Sequence, residues 1–597
     1  MCGIAAIYSY FNSGSKVDSK ELFRIQDSMK TRGPDGKGLW ISDDKKIGLA
    51  HRRLSIIDLS ESAHQPMSTK DGDYRIIFNG ELYSYPYLRN HLLKKNVIFN
   101  TVSDTEVLLQ LYIKYGTEMV HRLRGMFAFA IWDNIKKGLF IARDHFGIKP
   151  LYFHDDGSTF RCASQVKALL SGKGIPDIIE PAGHVGFFLW GAVPDPYTLY
   201  KNLYALPAGH SMWIDRNGVQ APRCFFSIKD EFINAYNNPP PKEDLTEVVG
   251  QCFRDSIKHH IISDVPVGTF LSSGIDSAVI TALASEEVPN INAITLGFEE
   301  YSSTEHDEVP LAKVIAQKYG CRHKISTITK GEFLNEIQHI IKSMDQPSID
   351  GVNTYFVAKI ASDVGLKVAL SGLGGDELLG GYPGYSQIPK LVKVVHPFTV
   401  IPFLGSGLRV LASPFMNSMV SPKIAGIFEY GGSFGGAYLL RRSLFMPWEI
   451  PKILDEEIVK EGLEKLETVI KMDSEIDSIG SPFGKICALE LTNYMRSTLL
   501  RDSDWAGMAH SVEIRVPFID IVLFKQLLPY LSHVQETLDK KKIAMNVIKT
   551  VPEEVYTKPK TGFAIPIDNW NKYTEKKSKY TRGLRDWGLR VYMAFTA

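Results

Sequence analysis

Val265-Pro266-Val267-Gly268-Thr269-Phe270-Leu271-Ser272-Ser273-Gly274-Ile275-Asp276-Ser277 is the stretch on which the fold of the longer half of this chain turns. The apolar run Val265 to Leu271 reads as a strand, three small residues follow, and Ala278 to Glu287 reads as a helix. Further on, Asn292 to Phe298 reads as a second strand. Phe333, Ile337, Ile340, Ile341 and Met344 fall at helical spacing, and Lys367 to Leu370 is another strand. This β-α-β-α order predicts a doubly wound α/β domain with a parallel sheet and a ligand site at the carboxyl ends of its strands.

The loop Leu271-Ser272-Ser273-Gly274-Ile275-Asp276-Ser277 occupies that place. Its small residues let backbone N–H groups and a helix N-terminus close around phosphate. It resembles the pyrophosphate loop of the ATP pyrophosphatases, with Ser273 where that loop usually has the first of two glycines. About a hundred residues on, Ser371-Gly372-Leu373-Gly374-Gly375-Asp376-Glu377 follows the strand Lys367 to Leu370. The resemblance implies an ATP pocket of Leu271, Ser272, Ser273, Gly274, Asp276, Ser277, Leu296, Ser371 and Gly372. Asp276 and Asp376 would hold Mg²⁺ against the phosphates, because a hard cation takes a few carboxylates plus phosphate oxygens. Lys560, in Lys560-Thr561-Gly562-Phe563, matches the family lysine that stabilises charge on the adenylate and on pyrophosphate.

At the other end stands Met1-Cys2-Gly3-Ile4. Loss of one residue would leave a thiol and an α-amine on the same carbon, a nucleophile and base whose ordinary pKa values both lie near neutrality. Arg32-Gly33-Pro34-Asp35-Gly36, His51-Arg52-Arg53-Leu54-Ser55-Ile56, Phe78-Asn79-Gly80-Glu81-Leu82-Tyr83 and Ser103-Asp104-Thr105-Glu106 follow in chain order. Read with Cys2, these stretches resemble the glutaminase domain of the class II amidotransferases. An Asn side-chain amide beside a Gly N–H, Asn79 and Gly80, is the donor pair an oxyanion requires. By the same resemblance Arg53 takes the α-carboxylate of glutamine, while Asp104 and Glu81 take its ammonium. Leu123 to Trp132 and Leu139 to Tyr152 read as core strands of an antiparallel sheet, and His145 and Arg143 are assigned no chemistry.

With both halves placed, the chain resembles the glutamine-hydrolysing asparagine synthetases of the bacterial B type over nearly its whole length. The resemblance implies an N-terminal nucleophile hydrolase αββα sandwich at 2–215, a linker at 216–245 and a synthetase domain at 246–597, with an ammonia tunnel between the halves. The implied reaction joins glutamine, ATP and an acceptor carboxylate to give glutamate, AMP, pyrophosphate and an amide. Aspartate is the first expectation for the acceptor. Two departures keep a sugar uronic acid or another carboxylate beside it: Leu373 stands where the family carries an acidic residue, and Asp504-Trp505-Ala506-Gly507 replaces a D-R-x-S pattern.

Composition narrows the rest. The 597 residues, 44% of them hydrophobic, suffice for two large cores, and 68 basic against 67 acidic side chains suggest neither nucleic acid nor an anionic membrane as partner. Small soluble substrates are expected, with a homodimer open as the assembly. Six scattered cysteines without a C-x-x-C argue against structural zinc and disulfides, and a reducing cytoplasm fits. The uncharged run Val394 to Leu408 is interrupted by Pro397, Pro402, Gly405 and Gly407, too short and broken for a transmembrane helix. Met508 to Asp520 is expected to be a buried, ion-paired connection near the acceptor. A phosphosugar amidotransferase would lack the 272–277 loop, a tRNA-thiolating enzyme would need paired cysteines and a basic face, and a binding module would have lost the scattered catalytic positions.

Overall fold

The computed structural model describes residues 2–11, 16–238, 244–401, 403–412, 421–535, 538–539, 543–544, 547–548, 552–557, 565–566, 570 and 584–596. Two-residue alternation builds the N-terminal part. Along the strand Gly3–Ser9, Ile4, Ala6 and Tyr8 point to one side and Ala5 and Ile7 to the other. The first set meets Ile77, Ala128, Ala130, Trp132 and Ile141 of a second sheet. The second set packs under the helices Ser19–Ser28 and Val166–Ser171. The second sheet turns Ile76, Phe78, Phe127, Phe129 and Phe140 outward against the helices Tyr85–Leu93 and Asp104–Tyr115. The result is an αββα sandwich of a six-stranded and a seven-stranded antiparallel sheet.

That second sheet extends past the expected boundary. Gly218–Val219 and Arg223–Cys224 both pair with the strand His210–Asp215, and a helix follows at Ile228–Tyr236. Gly218–Val219 and Arg223–Cys224 are therefore strands of this sheet within the stretch expected as linker, because unpaired N–H and C=O groups along His210–Asp215 take the returning chain as partner.

Five parallel strands form the other sheet, in the spatial order Arg322–Ile328, Asn292–Phe298, Val267–Phe270, Val368–Leu370, Glu513–Arg515. By chain order this is 3-2-1-4-5. The order reverses between the first and fourth strands, so a crevice opens at their carboxyl ends, where the two glycine-containing loops stand. Helices Ile275–Glu287 and Val309–Lys318 cover one face through Ala278, Ala312 and Ile315. Phe333, Ile340, Phe356 and Trp505, from three further helices, cover the other.

Buried polar contacts lock the two halves together. The Arg32 guanidinium makes two hydrogen bonds to Asp504, at 2.6 and 3.0 Å, with both side chains nearly inaccessible. Arg124 pairs with Asp520 at 2.9 Å and Asp255 at 2.7 Å. Asp345 accepts the backbone N–H groups of Val166 and Lys167.

Candidate active sites

Cys2 lies buried at the start of the central strand Gly3–Ser9, and burial pushes its thiol pKa up. Its Sγ is 3.8 Å from the carbonyl of Leu54, and its own carbonyl accepts from Arg32 Nε at 3.1 Å. Asn79, on the facing strand Tyr74–Glu81, accepts the Cys2 backbone N–H on Oδ1 at 2.9 Å. That contact fixes the amide's orientation and leaves Nδ2 buried without a partner. An unpartnered buried donor costs about 1–3 kcal/mol, which suits a group kept for a transient acceptor. Beside it, a Cβ on Gly80 would fall 2.1 Å from the Met126 carbonyl, so only glycine fits there.

The expected glutamine ligands gather here with one difference. Asp104 begins the helix Asp104–Tyr115, accepts the Leu82 N–H at 3.0 Å, and is pushed up to about 6 by burial. Glu81 is raised well above the usual carboxylate range by burial and then by neighbouring Glu513. Arg53 instead directs its two Nη atoms to the carbonyls of Ser60, at 2.8 Å, and Asp58, so those donors serve the local loop.

What sequence reasoning missed is that the buried pair Glu513 and Arg515 stands beside the glutamine ligands and not near the acceptor. They belong to the edge strand Glu513–Arg515 of the parallel sheet, so the stretch 508–520 is buried and ion-paired but abuts the glutamine side. Arg515 pairs with Glu513 at 2.7 Å and lies 3.4 Å from Glu81. Its Nη1 donates to the carbonyls of His260 and Ile262. Burial would raise Glu513, but the N-terminal ammonium and Arg515 overcome it and hold that carboxyl at about 2. The available signal was the pattern Glu-Ile-Arg-Val-Pro itself, two charges alternating with apolar residues in a short strand, which demands burial of paired charge.

In the second site, Ser272 and Ser277 brace the loop. Ser277 Oγ accepts the Ser272 N–H at 3.1 Å, and Ser272 Oγ accepts the Gly274 N–H at 3.1 Å. Gly274 caps the helix Ile275–Glu287, aiming its first N–H groups at the crevice. The second loop touches the first: a Cβ on Gly372 would fall 3.0 Å from the Ser277 nitrogen, and one on Gly375 would fall 2.5 Å from Asp276 Oδ1. Asp276 therefore borders the second loop at Gly375, while Asp376 lies against Gly381, where a Cβ would fall 1.8 Å from its Oδ1. Among the described residues no cluster of three or more His, Cys, Asp or Glu could hold a metal alone. Two hard oxygen donors fit a Mg²⁺ completed by phosphates and water, and not an all-protein cage. Ser371 donates its N–H to the carbonyl of Arg515 at 2.9 Å, which ties this loop to the glutamine side.

Leu271 and Leu296 bury their side chains in the core, leaving only backbone for a nucleotide. Trp505 is likewise buried and donates to Asp502 at 2.6 Å, so it does not face an acceptor directly. Lys560 lies outside the described residues. Beyond Leu373, half-buried against the main core, Glu377 accepts from Tyr382 at 2.6 Å. Arg442 lies between the rings of Tyr382 and Tyr494, 4.3 and 4.0 Å from their centres, and pairs with Glu490.

Residues 1–225 match the family model described as a glutamine amidotransferase domain, and residues 249–591 match the one described as asparagine synthase. The chain is 34% identical over 588 residues to asparagine synthetase [glutamine-hydrolyzing] 1 of Bacillus subtilis, covering 96% of this chain and 88% of that protein. It is 30% identical over 420 residues to asparagine synthetase B [glutamine-hydrolyzing] of Escherichia coli, covering 67% and 68%. Amidase chry2 of Gibberella zeae is 28% identical over 628 residues, covering 96% and 90%.

Proposed function

This chain belongs to the asparagine synthase family, with a glutamine amidotransferase domain ahead of the synthase domain, and on that footing we propose that it converts an acceptor carboxylate to an amide at the expense of ATP and glutamine. The observation that carries the reading is the Asn79 amide, its oxygen on the Cys2 N–H and its nitrogen buried and unpartnered.

With Met1 removed, Cys2 Sγ attacks the side-chain carbonyl carbon of glutamine and its α-amine takes the thiol proton. The oxyanion that forms accepts from Asn79 Nδ2 and the Gly80 N–H; ammonia leaves, and water then hydrolyses the thioester to glutamate. Asp104 and Glu81 hold the ammonium of glutamine, and Arg53 borders the site from the carboxylate side. Ammonia crosses to the synthase half inside the protein, since in water it would be protonated and lost as a nucleophile.

There the acceptor carboxylate attacks the α-phosphorus of ATP and releases pyrophosphate, giving the leaving group that a free carboxylate lacks. The 272–277 loop, Ser371 and Gly372 hold the phosphates, and Asp276 and Asp376 hold Mg²⁺, which when bound neutralises phosphate charge. Lys560 supports charge on the adenylate. Aspartate is the favoured acceptor, in keeping with what the B. subtilis and E. coli relatives are named for. Leu373 favours a second reading, a uronic acid or other carboxylate without an amine, because no carboxylate stands there for an acceptor's ammonium. The six scattered cysteines without a C-x-x-C support a reading of the enzyme as cytoplasmic.

Cys2→Ala should abolish glutamine-dependent synthesis and spare ammonia-dependent synthesis. Asp276→Asn should stop pyrophosphate release and synthesis from either nitrogen source while glutaminase persists. Product mass after incubation with aspartate and with a panel of uronates, ammonia supplying the nitrogen, identifies the acceptor; ADP and phosphate as stoichiometric products would overturn the adenylate.

A further inference from the structure

Hydrophobic side chains stand exposed along one stretch far from the glutamine site. The helix Gly384–Val395 runs into a 3₁₀ turn, His396–Val400, and then a helix, Leu404–Ala412. The first two together and the third are bent by 107°. Val394 is 65% exposed, Val400 78%, Phe403 88% and Leu411 70%, with Phe398, Ile401 and Val410 also open to solvent. Ordinary soluble surfaces scatter such residues singly; a contiguous set marks a contact surface.

We propose that this bent segment seats the protein on the surface of an anionic lipid bilayer. Among the described residues no single helix is long and apolar enough to cross a membrane, and the sharp bend instead suits a wedge lying in the interface. Its most exposed residues, Val400 and Phe403, flank the bend, where they reach furthest. Charge complements the apolar tip: residues 384–430 carry Lys390, Lys393, Arg409 and Lys423 against the single acid Glu429, in a chain whose overall balance is 68 to 67. Arg409 is already paired with Glu429, whereas Lys390 and Lys393 stand on the exposed face beside Val394.

A second copy of the chain suits this surface less well, because a two-fold contact would gather Lys390 and Lys393 of both copies in one interface while the segment's acid, Glu429, is already paired with Arg409. Anionic headgroups meet the same lysines favourably, at about 1 kcal/mol each, or about fivefold in binding.

The surface also leads toward the second loop. Ile388, Leu391, Ile424, Ile427 and Lys423 line a cavity of about 320 Å³ beneath it. Lys423 is shared with a neighbouring cavity of about 310 Å³ that reaches Arg442, whose guanidinium lies over Tyr382. Docking itself stands on the surface alone and is independent of which acid is amidated.

Sedimentation of the full-length protein with phosphatidylglycerol–phosphatidylcholine vesicles, against pure phosphatidylcholine, tests the proposal. Binding should require the anionic lipid, weaken with salt, fall about fivefold for each of Lys390→Gln and Lys393→Gln, and be lost in Val400→Glu/Phe403→Glu. Glutaminase activity should be unchanged in all of these and certifies folding, with Val400→Ser/Phe403→Ser as the milder pair. The proposal is overturned by absence of binding to anionic vesicles, by equal binding of wild type and the Val400/Phe403 variants, or by a dimer that those variants dissociate without any vesicle binding.

Discussion

The glutamine site and the nucleotide site solve the same problem, holding charge in a dry place, with opposite materials. Around Cys2 the work falls to side chains: Asn79, Glu81, Asp104, Glu513 and Arg515 are all buried, and their charges perturb one another. At the 272–277 and 371–376 loops it falls to backbone, with Gly374 and Gly375 of the second loop packed so closely that a methyl group would collide. A side-chain site is tuned by neighbours and is sensitive to pH and to single truncations. A backbone site is built into the path of the chain and depends chiefly on the sheet beneath it.

The sharpest break in that contrast is Arg32, where the two regions are tied by one ion pair across 472 residues of sequence. Arg32→Ala leaves Asp504 buried and uncompensated and should cost about 3–5 kcal/mol of stability, measured by denaturant unfolding. It should also disturb Cys2, whose carbonyl Arg32 holds. Next, Asn79→Ala should remove about 2.7–4 kcal/mol of transition-state stabilisation from glutamine hydrolysis and leave ammonia-dependent synthesis untouched. A matching loss in both reactions would show that the sites are not separable. Ser277→Ala, by contrast, removes one brace of a loop whose donors are mainly backbone. It should cost about 0.5–1.5 kcal/mol in ATP binding, read by titration with a non-hydrolysable analogue.

The smallest effect concerns pH. Asp104 must be ionised to hold an ammonium, and burial sets its pKa at about 6. The KM for glutamine should therefore rise as pH falls below about 6, while the KM for ATP follows no such step. Asp104→Asn should raise the KM at neutral pH and flatten the profile; an unchanged profile in that variant would assign the titration elsewhere.

Much of this was legible in sequence because it is local. The apolar run Val265 to Leu271 followed by small residues foretold the strand, loop and helix around Ser272, since that order is a short-range consequence of backbone geometry. Asn79 and Gly80 were recognisable as a donor pair, and the structure supplies the atoms that crowd Gly80. The fates of Leu296, Trp505 and residues 216–224 were not legible, because whether a side chain faces a core or a ligand, and whether a polar strand finds an edge to pair with, depends on neighbours far along the chain.

Tertiary structure alone decided that the fifth strand lies at the sheet's edge, putting Glu513 and Arg515 beside Glu81 and the Arg515 carbonyl on the Ser371 amide. Sequence determined which residues could carry charge into the interior. Only packing determined which charges meet there, because a buried ion must be matched by whichever partner the fold delivers, however distant in the chain.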